Sequence, residues 1–175
     1  MINALLPIGS GRSGRLLIES RVLVIHYVGN PQTSAKANRN YWLNSGTSAH
    51  FVIDMDGTIL RAVPENEQAQ HVGTFKPTEF CCKILGDDVS KRGLQNQYCI
   101  GIELCHPTWE GEYTNETLLS LNELISELTR NYPTLKWLAT HKDLTGKECD
   151  YWFNENPAEL DKLAEKYNLF TRRSA

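Results

Sequence analysis

Residues 22–26 read Val-Leu-Val-Ile-His, and residues 137–141 read Trp-Leu-Ala-Thr-His. The first is an unbroken aliphatic, largely β-branched run. That is the pattern of a strand buried on both faces. The second is a shorter apolar strand. Each leads directly into a histidine. Strands without polar alternation imply a sheet with parallel neighbours and helices over both faces. In such open sheets, reactive groups are presented at strand ends.

Working outward, residues 98–104 read Tyr-Cys-Ile-Gly-Ile-Glu-Leu. A period of two puts Ile100, Ile102 and Leu104 on one face, with Cys99, Gly101, Glu103 and Cys105 on the other. Phe51-Val-Ile-Asp54, the turn signal Asp56-Gly57, and Thr58-Ile-Leu60 predict a hairpin. One helix is predicted over 34–44, capped by Ser34 and ended by Ser45-Gly46. A second runs from Thr114 to about Arg130, where Leu118, Leu121, Ile125 and Leu128 recur at helical spacing. A third starts at Asn156-Pro157, with Leu160, Leu163, Ala164 and Tyr167 on its buried face. Residues 1–20 read as an irregular arm. Residues 64–97 are mostly polar and read as a surface excursion, with 75–98 as an insertion. No repeat or linker interrupts the chain. The expected fold is a single α/β domain over 1–175, a mixed central sheet flanked by helices.

The chain has 175 residues, enough for one domain with its own core. Its 41% hydrophobic and 22% charged content is that of an ordinary globular protein. A formal net charge of -3, with scattered basic residues, argues against nucleic-acid binding. No apolar run approaches the roughly 20 residues needed to span a bilayer, so no membrane insertion is expected. The start, with Pro7, Gly9, Gly11 and Gly14, lacks the apolar core of a secretory leader, and synthesis into the cytosol is the expectation. Five irregularly spaced cysteines suit free thiols or metal ligands better than a disulfide framework. Nothing in the sequence bears on the oligomeric state.

Cys149 follows His141 by eight residues across a loop with Gly146. With His26 it completes two imidazoles and one thiolate. Zinc accepts both donor types, and a catalytic zinc keeps three protein ligands and an open fourth position. Water held there has a pKa near 7 and attacks a carbonyl at neutral pH. Glu103 is the candidate proton carrier, because a carboxylate among Ile100, Ile102 and Leu104 is costly to bury without a task or partner. Lys147 is placed to stabilise an oxyanion. Each residue also has a plainer reading. A strand-end histidine can be structural, a cysteine a small buried hydrophobe, Glu103 half of an ion pair, and Lys147 an exposed loop lysine.

Four stretches together resemble the zinc-dependent N-acetylmuramoyl-L-alanine amidases, the family of phage endolysins, bacterial autolysins and the related peptidoglycan recognition proteins. They are Val22-Leu-Val-Ile-His-Tyr-Val-Gly-Asn30, Ser48-Ala-His-Phe-Val-Ile-Asp54 with Asp56-Gly-Thr58, Ile100-Gly-Ile-Glu-Leu-Cys105, and His141-Lys-Asp-Leu-Thr-Gly-Lys-Glu-Cys149. They come in the family's order, and the last is the most specific. The resemblance implies a zinc held by His26, His141 and Cys149, with Glu103 as catalytic glutamate and Lys147 over the oxyanion. It places His71, in His71-Val-Gly73, beside the substrate groove. His50 matches a histidine that neighbours a tyrosine in some phage members; here the neighbour is Ala49. The implied substrate is bacterial peptidoglycan, cut between N-acetylmuramic acid and L-alanine. The implied setting is a phage or prophage endolysin or an autolysin acting on the cell wall after release, or an enzyme of muropeptide recycling.

Two departures stand out. Asp150 occupies a place where family members usually have proline, and 75–98 is longer than expected, as a groove-rim insertion would be. Two other functional classes fit parts of the pattern. One is a peptidoglycan-binding module that does not cut. The other is a cysteine hydrolase using Cys105 or Cys149. His106 reads as a turn residue, and Trp42, Trp137 and Trp152 read as packing residues. Trp109, polar-flanked, reads as a loop anchor or a sugar platform.

Overall fold

The computed structural model describes residues 1–73 and 76–175. Its strands are β1 (Ile2–Asn3), β2 (Val22–Tyr27), β3 (Phe51–Ile53), β4 (Ile59–Arg61), β5 (Cys99–Leu104) and β6 (Trp137–Thr140). They form one sheet in the order β1-β4-β3-β5-β2-β6. The β3–β4 hairpin is antiparallel, and every other pair is parallel. β2 lies between β5 and β6, and Val22 to Ile25 are wholly buried. Its unbroken apolar run is therefore that of an interior parallel strand covered on both sides.

The helices are α1 (Ala35–Ser45), α2 (Glu79–Leu85), α3 (Asp87–Lys91), α4 (Asn115–Asn131), α5 (His141–Thr145), α6 (Tyr151–Glu155) and α7 (Pro157–Lys166). One face of the sheet carries Leu23, Ile25, Ile100, Ile102 and Leu104. It is closed by Leu121, Leu124, Ile125 and Leu128 of α4 and by Leu160 and Ala164 of α7. Thr114 starts α4 where expected, its side chain accepting from Thr117 N. Each of these four apolar α4 side chains contributes about 1.5–3 kcal/mol relative to exposure. The opposite face is covered in two parts. α1 sits over Val52 and Leu60 with Ala35 and Trp42, and α2 and α5 sit over Val22, Val24, Cys99 and Ala139 with Phe80, Leu85 and Leu144. The groove lies between these two patches.

Three expectations need correction. Residues 1–20 are not irregular throughout: β1 pairs with β4, and Leu6 is buried. A two-residue strand is too short to show alternation. The supposed surface excursion at 64–97 contains α2 and α3, and Phe80, Cys81 and Leu85 are buried in the second patch. Thr78 caps α2 by accepting from Cys81 N, but seven residues give too few turns for a helical period to stand out. Phe75, where the expected insertion begins, lies outside the described residues. Finally, the segment after β6 is not a plain loop, since α5 begins at His141 and α6 follows Asp150. Among the described residues, no helix is long and apolar enough to cross a membrane.

Candidate active site

Strand register assembles the site. In the parallel β2–β5 pair His26 stands opposite Glu103, so the two side chains leave the same face. In β2–β6 the last pair is Ile25 with Thr140, and His141 follows one position later, level with His26. Thr140 ends the strand as the N-cap of α5. Its side chain accepts from Asp143 N, and the Asp143 carboxylate accepts from Thr140 N. The two imidazole centroids are 4.7 Å apart. α5 ends at Gly146, at φ 74°, and the chain returns with Cys149. Cys149 Sγ comes to 3.6 Å from His26 Nδ1.

One ligand atom from each of His26, His141 and Cys149 lies within 4.8 Å of the others, and all three residues are buried. Two imidazoles and a thiol fit zinc and exclude the hard, oxygen-seeking cations. Burial lowers the proton affinity of both histidines, that of His141 to about 4, with Lys147 adding to the effect. Both rings are thus neutral donors at pH 7. Burial pushes the Cys149 thiol up to about 12, helped by nearby Glu103. A cysteine nucleophile needs the opposite shift. Cys105, the other candidate nucleophile, is buried against Val28, Ala35 and Trp42. Burial thus disfavours both thiols as nucleophiles.

Burial pushes the Glu103 carboxyl up to about 8, against the pull of Lys147. A carboxyl that changes charge near neutrality suits proton transfer in both directions. Its Oε2 is buried with no hydrogen-bond partner among the described residues. His26, His141, Cys149, Glu103 and Lys147 all line a cleft of about 590 Å³ that runs along α1 past Asn38 and Tyr41. Lys147 itself is exposed at its rim.

Residues 18–152 match the family described as N-acetylmuramoyl-L-alanine amidase. The chain belongs to that family. Among curated amidases, BlyA of Bacillus subtilis (strain 168) is 25% identical over 176 residues, covering 98% of this chain and 46% of BlyA. CwlL of Bacillus licheniformis is 25% identical over 163 residues, covering 89% of this chain and 42% of CwlL. The chain thus spans about half the length of the curated relatives it matches. The solved catalytic domain of XlyA shares the fold at TM-score 0.67 and 24% identity, covering 93% of this chain and 97% of that one.

Within this amidase fold, the structure sorts the remaining candidates. His71 lines the cleft, with its Nδ1 2.9 Å from His26 Nε2. His50 does not reach the cleft. It is fully buried; its Nδ1 accepts from Gly101 N at 3.0 Å and its Nε2 donates to Glu67 O at 2.9 Å. His106 is buried too, with both ring nitrogens at the carbonyl oxygens of Thr108 and Val28, so it braces a turn. Trp109 is exposed and outside the cleft lining. No described residue of the 76–98 segment lines the cleft.

One residue of this amidase domain that sequence reasoning did not single out matters, and Asp150, noted there as a departure, takes a definite place. Asn154 on α6 donates from Nδ2 to Cys149 O at 3.0 Å and accepts on Oδ1 from Thr140 Oγ1 at 2.9 Å. One amide thus ties the cysteine ligand to the residue beside the histidine ligand. Only tertiary geometry reveals that clamp. Asp150 is buried in the left-handed region at φ 63°, where its Oδ1 accepts from Phe153 N and starts α6. Burial pushes its carboxyl up to about 7, against the Phe153 amide.

His50 carries a pH prediction. Burial lowers its pKa from 6.5 to about 4, against the pull of the Glu67 carbonyl, and its bare Nδ1 accepts from Gly101. A folded pKa below the unfolded one gives stability that is complete above pH 6.5 and lost as pH falls toward 4. The amount is on the order of 3 kcal/mol. In His50→Asn the amide oxygen can still accept from Gly101 but does not titrate. The melting-temperature gap between parent and variant, both metal-free, therefore narrows from pH 7 to pH 4.5. Parallel curves would contradict this.

Proposed function

We propose that this chain hydrolyses the amide between N-acetylmuramic acid and L-alanine in bacterial peptidoglycan, using zinc held by His26, His141 and Cys149. The observation that carries the reading is the meeting of two imidazoles, a thiol and a buried carboxyl at the ends of three adjacent parallel strands. Family membership supports the choice of substrate. An open groove along α1 suits a polymer better than a closed pocket would.

When bound, zinc supplies Lewis acidity, polarising a carbonyl and acidifying water. The protein's own groups handle protons and position. Glu103 takes a proton from the attacking water as the carbon–oxygen bond forms. The carbonyl pair moves onto oxygen, and Lys147 at the rim stabilises that oxyanion. As the pair returns, the carbon–nitrogen bond breaks and Glu103 hands its proton to the departing alanine nitrogen. The products are the muramic acid carboxylate and a free peptide amine. As an endolysin or autolysin, the chain would reach the wall once released through the membrane by another agent. His50, expected at the substrate, serves the fold in this scheme, and His71 serves the site.

The test measures zinc per chain and wall-lytic activity in the parent and in His26→Ala, His141→Ala and Cys149→Ser. About one zinc is expected in the parent, with metal and lysis both impaired in each variant. Lysis that persists in metal-stripped protein would overturn the mechanism. Zinc without cleavage on several wall types would favour a recognition module.

A further inference from the structure

His71 donates no atom to the three-residue metal cluster, yet both of its ring nitrogens are engaged. Its Nε2 is 3.3 Å from the carbonyl oxygen of Cys99, and its Nδ1 is 2.9 Å from His26 Nε2. We propose that His71 is a positioning residue that fixes the ring of His26 and keeps the His26 proton on Nε2, leaving Nδ1 bare toward the metal. This rests on the zinc reading above and goes beyond it.

The proton positions follow one from the next. A carbonyl oxygen can only accept, so His71 Nε2 carries a hydrogen. A neutral imidazole has one N–H, so His71 Nδ1 is bare and accepts. The atom facing it, His26 Nε2, must then donate and so holds the His26 proton. That leaves His26 Nδ1 bare, and it is the nitrogen nearest Cys149 Sγ, at 3.6 Å. A strand carbonyl thus dictates, through two rings, which nitrogen is offered as a ligand. Metal-bound histidines usually anchor the other N–H on a carboxylate, carbonyl or water; here the anchor is a second imidazole.

Two further features support this arrangement. The His71 ring packs edge-on against those of His26 and His50, at centroid distances of 5.0 and 5.7 Å, so imidazoles rather than carboxylates face it. Its seat is also built for a ring: a Cβ on Gly101 would stand 2.6 Å from His71 Nδ1. Glycine inside a strand commonly marks such a close approach.

The test has two arms. In the first, histidine proton–nitrogen correlation spectra are recorded on the metal-free protein near pH 7. Both His26 and His71 should carry their protons on Nε2. A proton on Nδ1 of either ring would overturn the proposal. In the second, zinc affinity is measured by competition with a chelator. His71→Phe, which fills the seat without an acceptor, should weaken binding about 10- to 100-fold. His71→Asn, whose amide oxygen sits near the position of Nδ1, should stay within about threefold of the parent. Equal losses in both variants, or no loss in His71→Phe, would also overturn it. A parent that binds no zinc would defeat the metal reading alone, and the metal-free spectra would still decide the proton positions.

Discussion

Glu103→Gln lowers turnover by about 10²- to 10⁴-fold, the contribution expected of a positioned proton carrier. Glutamine keeps the shape and the place opposite His26 but cannot pass a proton. Zinc content should be unchanged, because Glu103 is not one of the three ligands. Stability should move the other way. The carboxyl has its pKa raised from 4.5 to about 8 by burial. A folded pKa above the unfolded one gives stability that is complete below pH 4.5 and lost as pH rises through 8. In metal-free protein the variant should therefore gain on the parent between pH 5 and pH 9. Turnover within tenfold of the parent would remove Glu103 from the mechanism, whatever the melting curves show.

The second large effect is expected from Gly101→Ala. The added carbon would meet three atoms of the His71 ring at 2.6, 2.7 and 2.8 Å, on a wholly buried strand position. Either β5 shifts or the ring is driven off His26. Overpacking of this kind costs about 1–3 kcal/mol. If the ring is what gives way, adding His71→Ala relieves the clash. The double variant should then be more stable than the sum of the two single losses implies. Strict additivity, or a Gly101→Ala protein that melts like the parent, would show that the seat is looser than drawn.

Much of this was readable from residue order. The unbroken run of β2 and the alternation of β5 depend on burial that a period of two or one expresses directly, so the central strands and the facing of Glu103 follow from the sequence. The apolar face of α4 is long enough for its period to emerge, although Leu124 is buried and Leu118 only partly so. His26 and His141 stood out because the strands that lead into them did, whereas Cys149, on the loop after α5, came only from its spacing to His141. The proximity of the three did not stand out, since it depends on β2 and β6 being neighbours in register. Length explains what was missed. β1 has two residues and α3 five, too few for any period. His50, expected beside the substrate, lies in the interior for another reason. Whether a histidine faces a groove or the interior depends on what covers it, and Glu67 and Gly101 approach from distant parts of the chain. Gly101 did leave a trace, as a lone glycine in an apolar strand.

The left-handed turn at Asp150 bears on how this domain can be recombined with its relatives. A pyrrolidine ring holds φ near -65°, whereas Asp150 sits at 63° and uses its carboxylate to begin α6. The proline that the family resemblance implies for this place cannot be introduced as a point change. It would turn the backbone directly after Cys149 and take away the start of the helix that carries Asn154. Chimeras should instead exchange Gly146 through Asn154 as one cassette, together with the partner of Asn154 at Thr140.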